Sequence, residues 1–261
     1  MKKCLFFTLI FAFSTSTFSE SMSATEVVDV AVVLATDVSA SIVDSPHFSE
    51  YAMQKAGIAK ALRDPDLAAV LESCNGDGLA LTYMEWSGFS QKEMVKQVIG
   101  WRKLKTGKDL RDFAAAIEAI PHRSSNGDTD VRRALSASAE LLRKSPFRAN
   151  RQIISISSDG EQSVSFGSSD SSDSFDSGEA EQLSLDLKVE RDRLLAEGFV
   201  IDALVITNDP NKGFSGLPLD EYYRRFVVGG PNHILVQIES FEEYAEGLRT
   251  KLRRELDNCA F

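Results

Sequence analysis

The run Val27 to Thr36 (VVDVAVVLAT) is the feature that most constrains how this chain can fold. It is nearly continuous in apolar and β-branched residues and ends in the polar stretch Asp37-Val38-Ser39-Ala40-Ser41. A run of that length, closed by a polar turn, reads as a strand buried on both faces, which is the signature of a parallel sheet. A sheet covered on both faces needs helices on both sides, so an α/β architecture is expected. The D-x-S-x-S segment then falls at the carboxyl end of the strand, where open α/β sheets bind ligands. One carboxylate and two hydroxyls on alternate residues can converge on a hard cation. An all-oxygen set suits Mg²⁺ or Mn²⁺ better than zinc.

Two further segments supply the same kind of donor. Asp128-Thr129-Asp130 follows the loop Ser124-Ser125-Asn126-Gly127 and opens a helical pattern. A second apolar strand, Gln152 to Ser157, ends in Ser158-Asp159-Gly160. The candidate metal donors are therefore Asp37, Ser39, Ser41, Thr129 and Asp159. The competing reading has Ser39, Ser41 and Thr129 merely capping helices and turns. Five oxygen donors on three loops at switch-point positions favour the metal. Asp130 is read as an anion in the first turn of a helix and is left out of the donor set.

Strands and helices alternate along the rest of the chain. Expected strands are Gly78 to Trp86, Met94 to Leu104, Arg151 to Ser157, Phe199 to Ile206 and Ile234 to Ile238. The short link between the first two of these makes that pair antiparallel. Helices are expected from Ser45-Pro46 to Arg63, from Leu110 to Ile120 with Asp109 as cap, from Asp130 to Arg143, and from Glu179 to Glu197. A last helix opens with a capping box, Ser240-x-x-Glu243, and runs to Asp257. The expected fold is a doubly wound, mostly parallel six-stranded sheet with one antiparallel edge strand and helices on both faces. The Ser/Asp/Gly-rich stretch 161–178 reads as a disordered surface loop, with a mobile rim over the metal or a second weak cation site as the alternative. The long excursion 207–231, with a short helix at Pro218 to Phe226, is a candidate for partner contact. Trp86 is either a reader of a ligand beside the metal or a packed core side chain. Glu85 could accept a bond from the first loop.

Asp37, Ser39, Ser41, Thr129 and Asp159, in this order and setting, resemble the metal-ion-dependent adhesion site of von Willebrand factor type A domains, including integrin inserted domains. Glu85-Trp86-Ser87-Gly88 and Ser158-Asp159-Gly160 also resemble a bacterial secreted subgroup of that family with no assigned function. The resemblance covers about residues 27–258. It implies that Ser39, Ser41 and Thr129 bind a divalent metal directly, and that Asp37 and Asp159 act through waters or through the hydroxyls. It also implies an open metal position for an Asp or Glu carboxylate of a partner protein. Such a chain is expected to be a binding module rather than an enzyme. A scaffold in which the metal is structural or dispensable is the alternative, and a metal-dependent hydrolase a weaker one. The chain has no G-x-S-x-G elbow, no G-x-x-x-x-G-K-[ST] loop and no H-E-x-x-H spacing.

The start of the chain reads as a secretory signal: Lys2-Lys3, an apolar stretch from Leu5 to Phe13, then small and polar residues to a cleavage point after Ala24. Residues 1–24 are thus expected to be a signal peptide and residues 25–261 one von Willebrand factor A-like domain, periplasmic or secreted. No other stretch approaches the length of a membrane span. The formal net charge of −10 disfavours nucleic acid as a partner, because phosphate repels it. Cys74 and Cys259 follow helices, which places both at the amino edges of the strands, away from the metal. In an oxidising compartment they are expected to form a disulfide, with two free thiols as the alternative. The bridge would restrict the travel of the last helix that switching in integrin-type domains involves.

Overall fold

The computed structural model describes residues 26–43, 48–73, 77–88, 95–121, 127–164, 177–207 and 213–257. The expected pairing of Cys74 with Cys259, the leader, and the Ser45-Pro46 helix start lie outside them. Among the described residues no helix is long and apolar enough to cross a membrane.

The elements follow one another as β1 (Glu26–Asp37), α1 (Ala40–Val43), α2 (Phe48–Leu62), α3 (Pro65–Ser73), β2 (Leu79–Trp86) and β3 (Val95–Leu104). Then come α4 (Gly107–Glu118), α5 (Val131–Arg143), β4 (Phe147–Ser158), α6 (Ser177–Ala196), β5 (Val200–Ile206), α7 (Leu219–Phe226) and β6 (Leu235–Ile238). A 3₁₀ turn (Phe241–Glu243) leads into α8 (Tyr244–Leu256). The strands form one six-stranded sheet in the order β3-β2-β1-β4-β5-β6. All neighbours are parallel except β2 and β3. This is the doubly wound arrangement, and its strand order reverses between β1 and β4.

The pattern of β1 explains its central place. Val32 and Leu34 pack into one apolar layer, with α2, α4 and α8. Ala31, Val33 and Ala35 pack into the opposite layer, with α5 and α7. Alternate side chains therefore serve two cores, which is why the run is apolar throughout.

Two local expectations are corrected, and one helix adds to those expected. α2 ends at Leu62, within a residue of the expected Arg63, and a further helix, α3, starts at Pro65. Asp64 Oδ1 accepts the N–H groups of Asp66 (2.9 Å) and Leu67 (3.2 Å) and so caps the additional helix α3. Asp64-Pro65 is a cap followed by proline at the first helical position, a start signal rather than a stop. The cap of α4 is Thr106, and Asp109 is the reciprocal third residue of its capping box. At the last helix no box forms: Ser240 makes no side-chain cap bond, and Glu243 Oε2 accepts from Glu239 N instead (3.0 Å).

Candidate metal centre

β1 delivers Asp37 fully buried at the carboxyl edge of the sheet. Asp37 Oδ1 accepts the Ser39 N–H at 2.8 Å. This local turn lifts the chain off the strand and into α1, whose first carbonyl, that of Ser39, accepts Ile42 N–H at 2.9 Å. Alternate positions now face the same way, and Ser39 Oγ stands 3.3 Å from Ser41 Oγ.

The register of β4 brings the second loop alongside. Ser157 is opposite Thr36, so the next residues of each strand meet at the edge. Ser41 Oγ donates to Asp159 Oδ1 at 2.9 Å, and Ser158 Oγ donates to Asp37 Oδ2 at 2.5 Å. The third loop is tied to both. Ala40 N donates to Gly127 O at 2.9 Å, and Ser163 N to Thr129 O at 2.9 Å. Thr129 N is bonded in turn to Ser163 Oγ at 3.0 Å. A Cβ on Gly160 would stand 3.1 Å from Thr129 Oγ1, which locates that hydroxyl against the Asp159 turn. Gly88 allows the β2 edge to close on the same loop: a Cβ there would stand 2.7 Å from Asp128 O.

All five residues singled out in the sequence thus meet at the point where the strand order reverses. Asp37, Ser39, Ser41 and Asp159 are joined by direct bonds or hydroxyl contact, and Thr129 lies against the turn after Asp159. Asp130 is the N-cap of α5, accepting Arg133 N at 3.1 Å and Gln162 Nε2 at 3.0 Å. Trp86 is a core residue with no exposed surface. Glu85 accepts from Tyr51 (3.0 Å) and Tyr83 (3.3 Å).

Neither Ser158 nor the stretch 161–164 stands among the donors read from the sequence, yet both support the site. Ser158 touches Asp37 only because β1 and β4 are neighbours, 121 residues apart in sequence. Residues 161–164 read as the start of a loop, yet they are bonded throughout. Glu161 holds Phe214 and Ser215, Gln162 holds Arg132 N and Asp130, and Ser163 holds Thr129. The remainder of the loop, 165–176, lies outside the described residues.

The electrostatics favour a cation. Asp37 and Asp159 are 0% and 1% exposed. Burial first, and then the charge of Asp159, push the Asp37 carboxyl up to about 7, against the pull of the Ser158 hydroxyl and the Ser39 N–H. Two carboxylates crowded out of water are what a divalent cation relieves. No described group of three His, Cys, Asp or Glu residues could hold a metal. The donors here are two carboxylates and three hydroxyls, all hard oxygen.

A family model described as "Protein of unknown function (DUF1194)" matches residues 26–260. No curated protein matches the chain. Solved structures resemble it at low identity. Proximal thread matrix protein 1 of the mussel byssus, with a zinc-occupied MIDAS motif, is 13% identical, with a TM-score of 0.55 over 89% of this chain and 47% of that one. The pilus adhesin SpaC of Lactobacillus rhamnosus GG is 13% identical, at 0.59 over 88% and 31%. The vWF domain of the type V pili tip protein Mfa5 of Porphyromonas gingivalis is 11% identical, at 0.52 over 90% and 94%. This chain spans less than half the length of the byssus and SpaC chains.

Proposed function

Because the chain belongs to the DUF1194 family, whose function is unassigned, and has the von Willebrand factor A fold, we propose that it is a divalent-metal-dependent protein-binding module of the bacterial envelope. One observation carries this reading. Ser39, Ser41, Asp159 and Asp37, drawn from two strand ends, converge within hydrogen-bonding reach, with Thr129 against the same turn. In this reading Ser39, Ser41 and Thr129 hold the metal, and Asp37 and Asp159 orient the hydroxyls or act through water. Mg²⁺ or Mn²⁺ suits the donors.

Neutral hydroxyls leave the divalent charge only partly offset, so a carboxylate from a partner protein is the natural further ligand. What the similar structures are named for, adhesion and pilus function, supports a binding role. The leader-like start and the absence of a membrane-crossing helix among the described residues support a periplasmic or secreted location.

Titration calorimetry of the purified protein with Mg²⁺, Mn²⁺ and Zn²⁺, beside Asp37→Ala, tests the reading. Saturable Mg²⁺ or Mn²⁺ binding that the variant loses while keeping its circular dichroism is expected. A folded wild type with no saturable uptake refutes it.

A further inference from the structure

Glu161 is a carboxylate only 4% exposed, two residues past Asp159. Burying a charge is costly unless hydrogen bonds replace the lost water. Here three donors do so, and all come from one distant segment. Glu161 accepts Phe214 N (3.0 Å), Ser215 N (3.0 Å) and Ser215 Oγ (2.6 Å). Gly213 makes the approach possible, since a Cβ there would stand 2.8 Å from Glu161 Oε1. Ser215 Oγ also takes Leu217 N at 3.2 Å, and α7 follows at once. From α7 the buried Tyr223 donates to Gly160 O at 3.1 Å. Both ends of the 213–223 segment are therefore fastened to the turn that carries Asp159.

What this fastening holds outward is an aromatic ring. Phe214 is 43% exposed. The other exposed large apolar side chains among the described residues are Val27, at the far end of β1, and Leu185 and Val189, on the flank of α6. Scattered apolar residues of that kind need no explanation. Phe214 differs in being clamped by a buried carboxylate beside the candidate metal centre.

Resting on the metal-binding reading above, we propose that Phe214 is a specificity-determining contact: it receives a large apolar side chain that neighbours the carboxylate a partner protein gives to the metal. The charge of the chain narrows the partner further. At −10 it repels a polyacidic ligand, so the fitting motif is a single Asp or Glu in apolar company. Two backbone steps, a Glu side chain and one hydrogen bond separate Asp159 from Phe214, a span on the order of 10–15 Å, or about three to four residues of extended peptide.

The test pans a library of nine-residue peptides, each with a central fixed Asp and random flanks, in Mg²⁺ and in EDTA. Wild type, Phe214→Ser and Phe214→Leu are compared, and calorimetry with Mg²⁺ alone is run on each. Mg²⁺ affinity is expected to agree within about twofold among the three proteins. Wild type and Phe214→Leu should enrich large apolar residues several-fold at about three to four positions from the Asp, only in Mg²⁺, and Phe214→Ser should lose that enrichment. A wild type that binds Mg²⁺ yet shows no apolar preference overturns this inference alone, as does a preference untouched by Phe214→Ser. A wild type that takes up no Mg²⁺ removes the metal reading, and this inference with it.

Discussion

Asp202→Asn should stabilise the protein, and more so as the pH rises. Asp202 sits inside β5 beside Ser155 of β4, on the face that α8 covers. From α8, Lys251 bonds Ser155 Oγ and pairs with Glu255 at 2.7 Å. Asp202 Oδ1 accepts Ile234 N at 2.7 Å, and Arg151, at the edge of the cluster, bonds the carbonyls of Glu255 and Asn232. Asp202, Lys251 and Glu255 are all 0% exposed, so two carboxylates share one ammonium. Asp202 Oδ2 and Glu255 Oε2 have no hydrogen-bond partner. Burial, and next the Glu255 charge, push the Asp202 carboxyl from its ordinary 3.8 up to about 7. The folded state therefore keeps a proton that the unfolded state gives up. Stability is full below the unfolded value, falls as pH rises between the two values, and levels off above the folded one. At about 1.4 kcal/mol per pH unit the whole gap is worth about 4 kcal/mol, as an order of magnitude.

The variant keeps the carbonyl that serves Ile234 and gains N–H donors facing Glu255. The assay is urea denaturation in EDTA at pH 5.5, 6.5, 7.5 and 8.5, avoiding the region of the isoelectric point near 4.9. The stability difference between variant and wild type should grow by about 2 kcal/mol from pH 5.5 to 7.5 and then hold level. Comparing the two proteins cancels the other titrating groups. A difference that is flat with pH would refute the idea that this cluster carries a proton, whatever its sign.

Two other outcomes are expected. Ser158→Ala removes the hydroxyl that orients Asp37, and should weaken Mg²⁺ binding about 10- to 100-fold while costing about 1–3 kcal/mol in urea denaturation; unchanged calorimetry would deny Ser158 that role. A Cys74–Cys259 bridge, as proposed here, predicts that oxidised residues 25–261 show no thiol reactive in denaturant, and two after reduction. Two reactive thiols before reduction would exclude the bridge.

The parts of the fold legible in the sequence were those with a short-range signature. The apolar run of β1 betrays a strand covered on both sides, and D-x-S-x-S declares its donors on alternate residues. Helix starts were harder, because Asp64-Pro65 looks like a break unless it is weighed as a cap, and Asp109 masks the true cap three residues earlier. Contacts made by topology left no local trace. Ser158 is an ordinary strand-end serine until β4 lies beside β1, and Glu161 belongs to a polar loop until Gly213 and Phe214 fold onto it. Lys251 and Glu255 resemble a solvent-facing pair one helical turn apart. The one signal to the contrary is Asp202, an acid in the middle of an otherwise apolar strand.

On the metal-binding reading proposed above, the pairing of β1 beside β4 sets when a cation can be captured. Ser41 and Asp159 are 118 residues apart, so their approach waits until the central strands of the sheet have paired. Long-range parallel pairing of this kind is a slow step in folding, and the unfolded chain offers no preassembled cage. A cation taken up only by the finished sheet adds its binding free energy to the native state by mass action. The metal concentration around the protein would then set how long a completed molecule survives before it opens, even where no partner is at hand.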